Sequence, residues 1–152
     1  MKQANIFLIG GLIVVALIGI VWVVFDFSLK EQNKENALKE NILEPQTNNE
    51  GGVAIVVRPQ SIKENAASWN FEISLDTHSV ELNEDLVEAS VLIDKNGKEY
   101  QPVEWEGDSA GGHHRSGVLK FAPISPWPKM IELKIRGVNG IEQRIFRWNL
   151  SV

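Results

Sequence analysis

The chain has 152 residues, with 15 Lys and Arg against 20 Asp and Glu for a net charge of −5, and no cysteine. That length holds one domain of the usual ~100–150 residues plus an appendage. The acidic balance disfavours a general nucleic-acid binder, and the missing thiols exclude disulfides, zinc fingers, iron–sulfur clusters, thiol catalysis and cysteine-ligated copper.

Ile6 to Phe25 is a run of twenty residues without a charge. At ~1.5 Å per residue a helix of this length spans ~30 Å, the thickness of a bilayer's hydrocarbon core. A cleaved secretory signal has an apolar region of only ~7–15 residues followed by a small-residue cleavage site. Here the run continues through Val21, Trp22, Val23, Val24 and Phe25 with no such site after it, so the expectation is a retained single-pass anchor. Lys2 lies before the helix and Lys30, Lys34 and Lys39 after it. The three downstream lysines weigh against a cytoplasmic N-terminus. A five-residue head is more often left inside while the long C-terminal part is exported, so the N-terminus is expected in the cytoplasm and the C-terminal part outside. Gly10, Gly11 and Gly19 form no G-x-x-x-G pair for helix dimerisation.

Residues 26–52 read as a polar stalk with three lysines and six acids. Ser28 with Glu31 fits a capping box, Pro45 closes the segment, and Gln46 to Gly52 is expected to be a flexible tether. The predicted division is thus a cytoplasmic head over 1–5, a membrane helix over 6–25, the stalk over 26–52 and an extracytoplasmic domain over 53–152.

After Gly52 the apolar spacing changes to two, the period of a half-buried strand. Val53, Ile55 and Val57 alternate, then Trp69, Phe71, Ile73 and Leu75, then Val87, Ala89, Val91 and Ile93. Asp94-Lys95-Asn96-Gly97 supplies a turn, and a return strand carries Tyr100, Val103 and Trp105, with Pro102 marking an edge or bulge. Leu119 and Phe121, then Ile131, Leu133 and Ile135, then Phe146, Trp148 and Leu150 complete the set. Seven such strands without an amphipathic helix predict an all-β, antiparallel sandwich of immunoglobulin or fibronectin III type. Trp69 and Trp148 are expected in the core, and Trp127 as a cap over one end of it. Glu72, Glu88 and Glu132 are expected on solvated faces.

If the seven strands alternate in direction, the loops holding His78, His113 and His114 share one pole of the sandwich with the Asn139-Gly140 turn. On the same reasoning the tether joins at that pole. Neutral imidazole is the commonest protein ligand for zinc and copper. His78, His113 and His114, with Asp76 or Asp108 adding an oxygen, are therefore the candidate metal ligands, for Cu or Zn. The spacing matches no established zinc motif. The competing reading is that the histidines order their loops through hydrogen bonds to backbone carbonyls. Ser109, His113 and Asp108 have the residue types of a hydrolase triad but crowd a single loop, so no catalytic residue is assigned. The glycine-rich stretch Gly107 to Gly117 lacks the phosphate-loop pattern and no helix follows it.

Asp76-Thr77-His78-Ser79-Val80, Gly111-Gly112-His113-His114-Arg115 and Ile135-Arg136-Gly137-Val138 carry a further signal. With Arg144, Phe146, Arg147 and Trp148 they make the segment from Trp69 to Trp148 similar to a group of small prokaryotic membrane-anchored or exported β-sandwich proteins of uncharacterised function. That resemblance implies an architecture and no mechanism. The expected function is a non-enzymatic, single-pass protein of the cell membrane. Its sandwich would act as an extracytoplasmic binding or interaction module for a protein partner in the envelope. The alternative is a histidine-loop module presenting copper or zinc near a membrane transporter. No other cofactor and no nucleic-acid partner are expected.

Overall fold

The computed structural model describes residues 22, 25–32 and 43–150, which fall into two compact units that meet in sequence at residues 41 and 42. In the first unit residues 25–32 are helical, and Ser28 lies inside this run instead of capping it. The predicted membrane helix over 6–25 lies outside the described residues except for Trp22 and Phe25. No described helix is long and apolar enough to cross a membrane.

The second unit is a β-sandwich. Among the described residues its strands are β1 (Gln46–Glu50), β2 (Val53–Pro59), β3 (Trp69–Thr77), β4 (Ser90–Asp94), β5 (Glu99–Tyr100), β6 (Glu104–Gly107), β7 (His114–Phe121), β8 (Met130–Arg136) and β9 (Gln143–Asn149). All pairings are antiparallel. One sheet has the order β1-β2-β3-β7-β6 and the other β5-β4-β8-β9. The alternation that predicted the strands also builds the core. Val53, Ile55 and Val57 of β2, Trp69, Phe71, Ile73 and Leu75 of β3 and Ile131, Leu133 and Ile135 of β8 are all buried. Across the two sheets Phe71 of β3 packs on Trp148 of β9 with ring centroids 5.7 Å apart. Trp69 is fully buried, and half-buried Trp127 sets its ring edge-to-face against it at 5.5 Å, as expected of a cap.

Nine strands replace the seven expected, and each difference has a local cause. Gln46 to Gly52 is not a tether: Gln46–Glu50 is β1, paired residue for residue with β2, and Gly51 and Gly52 take positive φ to turn the hairpin. Val87 and Ala89 alternate like a strand but lie in a single helical turn, α1 (Leu86–Ala89), because the Asp85 carboxylate accepts the amides of Val87 and Glu88 and caps it. The return strand divides around Pro102 into β5, on one sheet, and β6, on the other. Glu132 does not face solvent freely; it is 9% exposed and bonded to Arg147.

The added hairpin has a geometric consequence. Register pairs Val53 with both Glu50 and Thr77, while Gln46 pairs with Val57, at the far end of β2. The chain therefore joins the sandwich at the pole opposite the His78 and His114 loops, which reverses the expectation that the histidines lie where the tether enters.

Candidate functional site

The predicted clustering of loops at one pole is found. Asp76 of β3 stands opposite His114 of β7, and the Thr77 amide donates to the His113 carbonyl at 2.9 Å. The loop after β3 is then zipped to the loop before β7. The Leu82 amide donates to the Gly112 carbonyl, and the Gly111 amide donates to the Leu82 carbonyl, at 3.0 and 2.8 Å. The turn after β8 joins them, with the Asn139 amide donating to Glu84 and its carboxamide to the Gly51 carbonyl.

Within this pole the candidate ligands divide. His114 Nδ1 lies 2.7 Å from Asp76 Oδ1, and the His78 ring stands edge-on to the His114 ring with centroids 6.3 Å apart. His113 instead has its Nε2 3.8 Å from Glu81, whose other oxygen accepts the Gly112 amide. Asp108 takes no part in either group, because its Oδ2 accepts the amide and hydroxyl of Ser116 at 2.8 and 3.1 Å. Among the described residues no set of three or more His, Asp or Glu side chains is arranged to hold a metal ion. Ser109, His113 and Asp108 form no relay, since their histidine and aspartate are engaged elsewhere.

A second feature of the same pole escaped the sequence reading. A cleft of about 340 Å³ opens between the segment before and within α1 and the β6–β7 hairpin. Its lining includes Trp105, Arg115, Asn83, Asp85, Asp108 and Ser109. Arg115 is only 3% exposed. It occupies the inward positions shared by Gly117, Leu119 and Phe121 of β7, where an apolar residue is the ordinary occupant. Its Nη1 donates to the carbonyls of Leu82 and Glu84 at 3.1 and 2.7 Å, and Nη2 makes a long 3.5 Å contact with the Asp108 carbonyl. Nε has no hydrogen-bond partner, and no described carboxylate forms an ion pair with this buried cation. The guanidinium lies 5.8 Å from the Trp105 ring centroid, within cation–π range.

Trp105 is held by two glycines. A Cβ on Gly107 or Gly117, which pair across β6 and β7, would come within 2.8 or 2.7 Å of its Cζ2. The indole therefore lies against bare backbone, and its N–H donates to the Asp108 carbonyl at 2.9 Å. The signal that would have found this site was the period of two running backwards from Phe121 through Leu119 and Gly117, which places Arg115 on the inner face.

Comparison with known proteins returns no match, neither a family model nor a curated protein.

Proposed function

We propose that this chain is a non-enzymatic, single-pass membrane protein whose sandwich lies outside the membrane and binds a protein partner of the envelope. The observation carrying this reading is the unequal treatment of the two flanks of the sandwich. Where β1 meets β9, side chains stitch the sheets together: Arg144 and Trp148 of β9 donate to the backbone carbonyls of Glu50 and Glu44. On the other flank the sheets end in β5, two residues long, and β6, four residues long. Between them Val103 is 69% exposed, and the Trp105–Arg115 cleft opens beside them. Short edges resist self-association, while an uncovered apolar residue next to a cleft offers a contact for a partner.

The strand order favours the immunoglobulin type over other sandwiches. β6-β7-β3-β2 facing β5-β4-β8-β9 corresponds to D-E-B-A facing C′-C-F-G, with β1 as an added strand. The anchor reading draws support from Trp22 and Phe25 at the end of the apolar run and Phe27 and Leu29 just beyond Asp26, all exposed, an aromatic-rich stretch of the kind that concentrates at a membrane interface. Since the chain has no cysteine, Ser109→Cys creates a unique thiol at the cleft rim. A membrane-impermeant maleimide should label it in intact cells. Labelling only after lysis would place the sandwich inside and overturn the reading.

One observation favours metal binding as a second reading. An Asp76 carboxylate on His114 Nδ1 fixes the tautomer whose Nε2 carries the free lone pair, the outer-shell arrangement common to metal-bound histidines. On this reading His78 and His114 are ligands and His113 is not. Cu(II) titration should then lose its strongest step in His78→Ala and His114→Ala while His113→Ala keeps it. No binding to the parent chain, or a strongest step that survives both His78→Ala and His114→Ala, would remove the metal reading; equal loss in all three variants would return His113 to the ligand set.

A further inference from the structure

We infer that the Trp105–Arg115 cleft is a carbohydrate site that takes one pyranose ring, an assignment separate from the protein contact proposed above. The volume of about 340 Å³ is at the small end of the ~300–1,000 Å³ range of ligand pockets, suited to a compact ligand. Its chemistry is mixed in a specific way. The half-buried indole of Trp105 supplies a flat apolar wall, backed by Gly107 and Gly117 and anchored through its N–H, so it is held in place before any ligand arrives.

Around that wall stand groups of both hydrogen-bonding kinds. Asp85 and Asp108 each spend one carboxylate oxygen on protein donors and retain a second as acceptor. Asn83 can donate and accept, and so can Ser109. Behind them Arg115, 3% exposed, lines the cleft with a positive charge, and its Nε, itself closed off from solvent, has no hydrogen-bond partner in the protein.

The charges exclude simpler ligands. An anion drawn toward Arg115 must pass the exposed carboxylates of Asp85 and Asp108. A cation drawn to those carboxylates approaches a buried positive charge that has no ionic partner among the described residues. A neutral ring with hydroxyls at its rim and C–H bonds on its faces meets neither penalty. Each hydroxyl both donates and accepts, matching carboxylates on one side and amide or guanidinium on the other. The C–H face suits the indole.

The test uses the full chain in a detergent without a sugar headgroup, with maltotriose, cellotriose and chitotriose as probes, read by saturation-transfer NMR. At least one probe should show transfer concentrated on a single ring, and Trp105→Ala should weaken it by about tenfold or more. Ala110→Trp serves as the second variant, because it fills the cleft from an exposed position and leaves the polar groups untouched. It should abolish the signal with the thermal unfolding midpoint unchanged. Absence of transfer from all three sugars overturns the assignment, as does a signal that survives Ala110→Trp. Saturable binding of acetate or N-acetyl-lysinamide in the same cleft, in place of the sugars, overturns it as well. The assay is indifferent to membrane sidedness, so its failure and the failure of the labelling experiment are told apart.

Discussion

The carboxamide of Gln46 does for Arg147 what a neighbouring strand would do: its Oε1 accepts the Arg147 amide at 3.0 Å, and its Nε2 donates to the Arg147 carbonyl. Arg147 lies on β9, the last strand of its sheet, so these two backbone groups would otherwise face an unpaired edge. One side chain thereby joins the sheets at the flank where β1 meets β9. Gln46→Ala should cost ~1 kcal/mol, the net worth of exposed hydrogen bonds, and should speed hydrogen exchange at the Arg147 amide. Gln46→Glu should cost more, since it sets a carboxylate against a carbonyl. If denaturant titration finds Gln46→Ala neutral, the flank is held by Arg144 and Trp148 alone.

Arg144 is the deeper clasp on the same flank. It is 1% exposed, and its Nε, Nη1 and Nη2 donate to Asn48 Oδ1, the Val138 carbonyl and the Glu50 carbonyl at 3.0, 2.9 and 2.9 Å. Burial pushes its pKa below the usual arginine value, with Glu50 and Glu84 acting in opposition, and a guanidinium stays charged in any case. Arg144→Met leaves three acceptors unsatisfied and should lower unfolding free energy by ~2–4 kcal/mol. Arg144→Lys keeps the charge but cannot span three acceptors, so it should recover less than half of that loss. Full recovery by lysine would show that charge and not the fork holds β1 in place.

The contrast between the apolar strands of the core and the polar β1 explains what could be read from the sequence. Val53, Ile55 and Val57, or Ile131, Leu133 and Ile135, announce strands because one face of each is buried by apolar residues alone. β1 carries Gln-Thr-Asn-Asn-Glu, so no periodicity marks it; its place comes from pairing with β2 and from the side chains of β9. Val87 and Ala89 have strand-like spacing, and only the Asp85 cap turns them into a helical turn. The histidine pole followed from strand alternation, because counting reversals needs no side-chain detail. The cleft did not, since a buried Arg115 runs against the rule that charged residues stay outside. What brings it inside is its register with Leu119 and Phe121, and what keeps it there is a set of loop carbonyls far away in sequence.

Gly107 and Gly117 face each other across β6 and β7, and neither has room for a side chain. A Cβ on Gly117 would lie 2.6 Å from the Glu106 carbonyl oxygen and 2.7 Å from Trp105; one on Gly107 would strike the Ser116 carbonyl oxygen and lie 2.8 Å from Trp105. Backbone atoms in a paired ladder cannot yield as a flexible side chain does. Gly117→Ala should therefore destabilise by ~1–3 kcal/mol, the usual cost of overpacking, and Trp105→Ala in the same chain should not restore it. Rescue by the tryptophan truncation would show that the ring, and not the ladder, demands the glycines.

Asp94 closes the β4–β5 hairpin and should make stability pH-dependent in acid. Its Oδ1 accepts the amides of Asn96 and Lys98 at 2.8 and 3.0 Å, and the Tyr100 hydroxyl donates to its Oδ2 at 3.3 Å. Burial works to raise its pKa, but the two amides, the hydroxyl and the Lys98 charge outweigh it and hold the carboxyl below the ordinary aspartate value. With the folded pKa under the unfolded one, the unfolded chain binds more protons in the interval between them, so stability there rises with pH. The contribution is complete above the unfolded value, ~3.9, and fades as pH falls through the folded one. Other carboxylates titrate in the same range, so the informative quantity is the difference between the parent chain and Asp94→Asn. Denaturant titrations should find the parent more stable at neutral pH, with the gap narrowing below ~pH 4. A gap of constant size down to the acid limit would mean that the ionised form of Asp94 contributes nothing to the hairpin beyond what an amide supplies.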